Sequence, residues 1–312
     1  MNQNPKISSP KQKSYDKIAM WLLNLECNFK CPYCFFDDSQ RSLKTRAGDW
    51  VRSKVPAINP YKTHFIMPEQ IGQFFDDTGK KWWLVISGGE PFVYPRFVEI
   101  VKRLSQKHLV TIGTNLGLPI DKFLAEVSPE NIWSFYVSMH LAERERQGLT
   151  VDDLLEKVKR LRDAGFRVEI NYVMYPPDIK RFPAIFEQFK KEGFILEARA
   201  FRGTYEGKNY PKAYSEEERK IFHDHIPSEV DRVASFESLS FMNVPCTAGK
   251  DLIRIRPDGS ITRCPHDNEI LGNMFEGKLN LHEKVQKCQV PYCKCTLAIK
   301  EGCVDFNARK KQ

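Results

Sequence analysis

The sequence predicts an α/β fold built on a parallel sheet, and three observations carry that prediction. From Pro68 to about Phe201, short runs of β-branched and aromatic residues alternate with segments of helical periodicity. Alternation of this kind buries a parallel sheet beneath helical crossovers. Two segments dense in cysteine or glycine each follow an apolar run directly, which puts both on the C-terminal edge of the sheet, where α/β folds bind ligands.

The elements follow in order. Residues 1–16, rich in Lys, Ser, Asn and Pro, read as a loose tail. A strand over 17–25 delivers Cys27 at its end. The polar stretch 37–66 carries Arg41, Lys44, Arg46, Arg52 and Lys54 around Trp50, as a lid over an anionic substrate or as a solvated insertion. Helix 68–78 opens on Pro68, shows Ile71, Phe74 and Phe75 on one face, and is followed by Gly79. Strand 82–86, helix 95–106, strand 109–113, helix 119–127 and strand 132–138 come next. In helix 151–164, Thr150 and Asp153 form the cap, Leu154, Leu155, Val158 and Leu161 the apolar face, and Gly165 the stop. Strand 167–174, helix 181–192 and strand 194–201 complete six βα-type units. Residues 204–243 change character, with Gly207, Pro211 and a charged helix at 215–225, then a linker. The predicted organisation is a tail 1–16, a sheet domain 17–203, a linker and helical segment 204–243, and a cysteine-rich module 244–312.

Two motifs carry the chemistry. Cys27, Cys31 and Cys34 are spaced C-x3-C-x2-C directly after Ile18–Leu25. Three thiolates can hold three irons of a 4Fe–4S cluster and leave the fourth open to a small molecule. The same residues also fit three ligands of a zinc site, or a disulfide with a spare thiol. The second motif is Ser87-Gly88-Gly89-Glu90-Pro91, after the run Trp82–Ile86. Taken alone, its glycines mark a turn with unusual dihedrals or a close backbone approach.

In this order and about fifty-five residues apart, the two motifs resemble the radical S-adenosylmethionine (SAM) superfamily. The resemblance implies a partial (β/α)6 barrel in which Cys27, Cys31 and Cys34 hold the cluster. Gly88, Gly89 and Glu90 would bind the methionine part of SAM, the glycines letting the backbone approach its amino group. Tyr33 would lie against the adenine. Asn115, Ser138 and one of Arg144 or Arg146 would also contact SAM; otherwise they are a turn Asn, a strand-end Ser and solvated charges. His140 stands near the substrate in one reading and is a hydrogen-bonding wall residue in the other.

The C-terminal segment holds Cys246, Cys264, Cys288, Cys293, Cys295 and Cys303. Between the first two, the alternation around Pro257-Asp258-Gly259 predicts a β-hairpin that brings Cys246 and Cys264 together. A short helix is expected near 280–287. The spacing C-x12-G-x4-C, with Gly259 as the glycine, resembles the opening of the SPASM and twitch domains, which carry auxiliary 4Fe–4S clusters. The remainder, C-x4-C-x-C-x7-C, departs from the SPASM pattern, and six thiolates cannot fully ligate two clusters. One complete auxiliary cluster, two with open positions, or a zinc knuckle remain as readings.

Composition sets the outer bounds. The chain of 312 residues is 41% hydrophobic and 28% charged, which is ordinary for a globular protein. No apolar run is long enough to span a bilayer, and the N-terminus has no signal-peptide core. Nine cysteines without such a signal fit a reducing compartment and metal binding, hence a cytoplasmic protein. The net charge of +8 is spread along the chain, and no nucleic-acid-binding signature accompanies it.

The resemblance implies an enzyme reduced by a flavodoxin- or ferredoxin-type partner. It would cleave SAM to a 5′-deoxyadenosyl radical that abstracts hydrogen from its substrate. A small polar metabolite such as a sugar, aminocyclitol or nucleotide is expected, with net dehydrogenation assisted by the auxiliary site. A ribosomally made peptide is the competing substrate, and a non-catalytic iron–sulfur electron carrier is the reading outside enzymology.

Overall fold

The computed structural model describes residues 14–34, 67–237, 239–293 and 295–311. The polar stretch 37–66 and residues 1–13 of the tail lie outside the described residues. Within the barrel half the order is β1 (Lys17–Leu22), α1 (Pro68–Asp76), β2 (Trp82–Ser87), α2 (Phe97–Leu104), β3 (Leu109–Thr114), α3 (Asp121–Glu126), β4 (Ile132–Ser138), α4 (Leu141–Arg146), α5 (Val151–Asp163), β5 (Val168–Met174), α6 (Phe182–Lys191) and β6 (Leu196–Ala200). Strands β1 to β6 pair in sequence order, all parallel. This is the α/β partial barrel that the alternation and the motifs predicted.

The clearest helix forms for the expected reason. Thr150 Oγ1 accepts from the Asp153 N–H at 3.0 Å, and Asp153 Oδ2 accepts from the Thr150 N–H at 2.7 Å. Leu154, Leu155, Val158 and Leu161 are its buried face. In the sequence reading helix α4 has no bounds, only a solvated helical charge as the alternative role of Arg144 or Arg146. Two turns carrying Glu143, Arg144, Glu145 and Arg146 show too little periodicity to detect.

The second half runs β7 (Gly203–Tyr205), β8 (Lys208–Tyr210), α7 (Glu216–Phe222), α8 (Glu229–Phe236), β9 (Leu239–Ser240), β10 (Pro245–Cys246), β11 (Leu252–Ile255), β12 (Ser260–Cys264), β13 (Asp267–Asn273), β14 (Lys278–Leu279), β15 (Gln286–Lys287), α9 (Thr296–Lys300) and β16 (Lys310–Lys311). The expected hairpin is β11–β12. Strand β11 also lies parallel to β1, Ile18 against Leu252 and Trp21 against Ile255. The barrel sheet therefore continues through the C-terminal hairpin into one sheet of ten strands.

Three expectations are corrected. The segment 280–287 is not helical. Its Leu281 and Val285 have helical spacing, but residues 286–287 instead pair with Pro245–Cys246. The supposed linker before residue 243 contains helix α8. At the tail, Asp16 donates to the Lys81 carbonyl at 2.7 Å and the Tyr15 ring lies 5.3 Å from Trp83, so both residues belong to the fold.

The two faces of the sheet are covered differently. Ala19, Trp21, Leu84, Ile86, Val110, Ile112, Val137, Ile170 and Leu196 pack with Phe75, Ile100, Leu104, Phe123, Val158 and Phe189 of the helices. Apart from Ala19, each such buried side chain contributes about 2 kcal/mol. The alternate residues Ile18, Trp83, Leu109 and Leu252 pack instead against Ala234 of α8 and the cysteine-rich segment. That segment fills the inner side of the sheet over β1 to β3. Over β4 to β6 the same side carries Tyr136, Asn171, Glu197 and Arg199, and Arg199 donates to the other three and to Asp231 of α8. Among the described residues, no helix is long and apolar enough to cross a membrane.

Candidate active site

Past Leu22 the chain crosses the C-terminal edge of the sheet as the cysteine loop, and polar groups from β3 and α4 hold it there. Glu143, 3% exposed, accepts from the Lys30 backbone N–H at 2.6 Å and pairs with Arg146. Gln147 donates to the Asn28 carbonyl at 2.5 Å. The Asn115 side-chain amide donates to Asn28 Oδ1 at 2.9 Å and to Cys27 Sγ at 3.6 Å. A second donor to that sulfur, the Phe29 N–H, reaches Cys27 Sγ at 3.3 Å.

Cys31 is buried, with Cys27 and Cys34 partly exposed on either side of it. Burial pushes the Cys31 thiol up, and the neighbouring Cys27, Glu143 and Cys34 add to that shift. Among the described residues no three His, Cys, Asp or Glu side chains converge as ligands of a single ion. That does not bear on a cubane, whose thiolates each hold a different iron.

The Gly-Gly-Glu turn rests on the segment just before Cys27. Gly89 N–H donates to the Asn24 carbonyl at 2.9 Å and Glu90 N–H to the Glu26 carbonyl at 2.8 Å. A Cβ at Gly88 would stand 2.4 Å from Asn24 Oδ1, and one at Gly89 only 2.0 Å from the Glu26 carbonyl oxygen. Both glycines thus lie closely against residues 24–26 of the chain itself.

The Glu90 carboxylate also turns inward. It is 1% exposed and accepts from Thr114 Oγ1 at 2.7 Å, the Asn115 N–H at 2.7 Å and the Phe92 N–H at 3.1 Å. Burial pushes its pKa up to about 7, against those hydrogen bonds. In this structure the side chain joins the ends of β2 and β3.

The remaining candidates fall in two places. Arg144 is buried, donating to the Met139 carbonyl at 2.8 Å and to the Asn115 carbonyl, while Arg146 stays at the rim with Glu143. Ser138 ends β4 beside Asn171 of β5. The Tyr33 hydroxyl lies 3.2 Å from His140 Nδ1, and its ring packs 4.8 Å from Tyr175 and 6.0 Å from Phe201. His140 takes a left-handed conformation, φ 47°, and burial lowers its pKa to about 4, which keeps the imidazole neutral. Here His140 supports the Tyr33 wall.

The C-terminal thiols form a second group on the inner side of the sheet. Cys293, which burial pushes up to about 11, is influenced by Cys264, Cys288 and Cys246. Cys264 is in turn influenced by Cys246, and Cys246 by Cys288. Cys295 lies between this group and the sheet, its Sγ 3.5 Å from Met20 Sδ. Cys303 hydrogen-bonds Thr247. Sequence reasoning missed Asn24, Thr114, Glu143 and Gln147, single polar residues whose spacing carries no signal.

Residues 23–188, just over half the chain and the stretch holding both motifs, match the family model of the Radical SAM superfamily. The chain belongs to that superfamily. As a radical SAM protein it is 28% identical over 167 residues to the "Putative glycyl-radical enzyme activating enzyme" of Methanocaldococcus jannaschii, a match over 52% of this chain and 57% of the relative. The solved structure of Streptococcus suis SuiB bound to S-adenosylmethionine is similar with a TM-score of 0.55 at 14% identity, over 88% of this chain and 63% of SuiB. Native anSMEcpe with bound AdoMet gives 0.53 at 15% identity, over 82% of this chain and 78% of that one. The chain thus matches less than two thirds of the length of the curated relative and of SuiB, and the likeness to the solved structures is one of fold.

Membership implies a 4Fe–4S cluster and SAM, and the donor set fits them. Three thiols on one short loop, one receiving two N–H donors, suit thiolate ligation, since such donors stabilise charge on sulfur and tune a cluster.

Proposed function

We propose that this radical SAM enzyme abstracts hydrogen from a small polar metabolite held on the inner side of the sheet. The observation that carries this reading is the polar patch of Tyr136, Asn171, Glu197 and Arg199. It lies under the edge that bears Cys27, Cys31 and Cys34, beside the segment that bears the other six cysteines. When bound, the SAM-ligated cluster supplies reductive cleavage of SAM and, from it, a hydrogen-abstracting 5′-deoxyadenosyl radical. Asn115 and the Phe29 N–H hold Cys27 in place, Glu143 holds the loop, and the Tyr33–His140–Tyr175 wall closes the edge against water.

The overall reaction in this reading is a dehydrogenation. One hydrogen atom leaves the substrate carbon for the SAM-derived product, and a further electron and proton then leave the substrate. Cys246, Cys264, Cys288 and Cys293 form the set proposed to hold an auxiliary 4Fe–4S cluster that could take the electron. A flavodoxin- or ferredoxin-type protein is the proposed source of the first electron.

The test is reduced, anaerobic protein with SAM: 5′-deoxyadenosine should form, and a Cys27→Ala/Cys31→Ala/Cys34→Ala variant should form none. Product from that variant would refute the assignment. A second reading, favoured by the name of the curated relative, has a polypeptide as substrate. Deuterium passing into 5′-deoxyadenosine from a labelled peptide, with no small metabolite accepted, would select it.

A further inference from the structure

The inner side of β5 carries a buried donor without a partner. Asn171 is 3% exposed. Its Oδ1 accepts from Arg199 Nε at 2.6 Å, which fixes the amide orientation because the reverse placement would set N–H against N–H. Among the described residues its Nδ2 then has no hydrogen-bond partner although it is buried. An orphaned buried donor keeps the cost of its lost hydration, and native proteins keep few of them. A ligand acceptor at that point would remove the penalty.

The surroundings narrow what the ligand can be. Arg199 is already committed to Asn171, Asp231 at 2.7 Å, Glu197 at 2.7 Å and Tyr136, and Lys300 pairs with Asp231. Arg199 and Lys300 thus face Asp231 and Glu197, so neither of these two cations stands free to pair with an anion. The position is also telling. Asn171 stands beside Ser138 at the cofactor edge, and its network ends at Lys300, on the helix that follows Cys295.

We propose that Asn171 Nδ2 binds a neutral oxygen acceptor of the substrate, a hydroxyl or an amide carbonyl, and that this site selects against phosphate and carboxylate. The proposal rests on the radical SAM reading and names the substrate chemistry of the same site. It also departs from the anionic substrate suggested by the basic stretch 37–66.

The experiment uses full-length, anaerobically reconstituted protein with SAM present. Calorimetry measures binding of myo-inositol, myo-inositol 1-phosphate and N-acetylglycinamide to wild type, Asn171→Asp and Asn171→Ser. Asn171→Asp retains the acceptor for Arg199 but loses the donor, so a purely structural asparagine would leave affinities unchanged. At least one neutral probe should bind wild type and lose tenfold or more in both variants, while the phosphate binds no tighter than myo-inositol. Binding of myo-inositol identifies a polyol, and binding of N-acetylglycinamide a peptide carbonyl. The proposal is overturned if no neutral probe binds, if the phosphate binds tenfold tighter, or if the variants bind as wild type does. It is overturned equally if SAM affinity falls in step, because Asn171 then serves the cofactor. Failure of the radical SAM reading looks different: wild type would neither bind nor cleave SAM. Melting temperatures separate misfolded variants, and an intact Asn171→Ser suffices if Asn171→Asp is unstable.

Discussion

The side-chain amide of Asn115 donates to Cys27 Sγ across 88 residues of sequence, at 3.6 Å. The end of β3 thereby reaches the first cysteine of the loop that follows β1. An N–H aimed at a thiolate stabilises the more negative, reduced state of a bound cluster more than the oxidised one. Asn115→Ala should therefore shift the potential of the SAM-site cluster to more negative values in a potentiometric EPR titration. An unchanged potential would assign Asn115 to loop shape alone.

Gly89→Ala should disturb both halves of the site. The added methyl would stand 2.0 Å from the Glu26 carbonyl oxygen, one residue before Cys27, so the backbone must move. We expect a stability loss on the order of 2 kcal/mol, with lower iron content and weaker SAM binding together. Iron assay and SAM titration decide it: full iron with weakened SAM binding would return Gly89 to a cofactor-facing role.

Glu90 makes stability depend on pH. Burial pushes its pKa up to about 7, so between the ordinary carboxylate range and pH 7 the folded chain holds a proton that the unfolded chain has lost. This contribution is fully present at low pH and fades as pH rises through 7. Glu90→Gln cannot ionise. Relative to that variant, wild type should lose up to about 3 kcal/mol between pH 4.5 and pH 8, read from denaturant midpoints. Parallel pH profiles would show that the carboxylate stays ionised in the fold.

The C-terminal thiols predict an iron count. Reconstituted protein should hold about eight irons per chain if one full auxiliary cluster forms beside the first. Cys264→Ser should remove about four of them, while Cys303→Ser, whose thiol is engaged by Thr247, should retain all eight. About four irons with stoichiometric zinc in wild type would identify a zinc knuckle.

By itself the sequence determined the parallel α/β architecture, the positions of the two motifs and the β11–β12 hairpin. Each is a local signal: apolar periodicity, a capping box at Thr150 and Asp153, or cysteines and glycines at short spacing. Only the tertiary structure decided what those residues touch. It turned Glu90 inward to Thr114, set Gly88 and Gly89 against residues 24–26, laid β11 against β1 and joined Arg199 to Asp231. Residues 280–287 show the competition directly, since pairing with Pro245–Cys246 prevailed over helical spacing. Such contacts join residues far apart in sequence, and their energies come from burial and hydrogen bonds that exist only once the chain is packed.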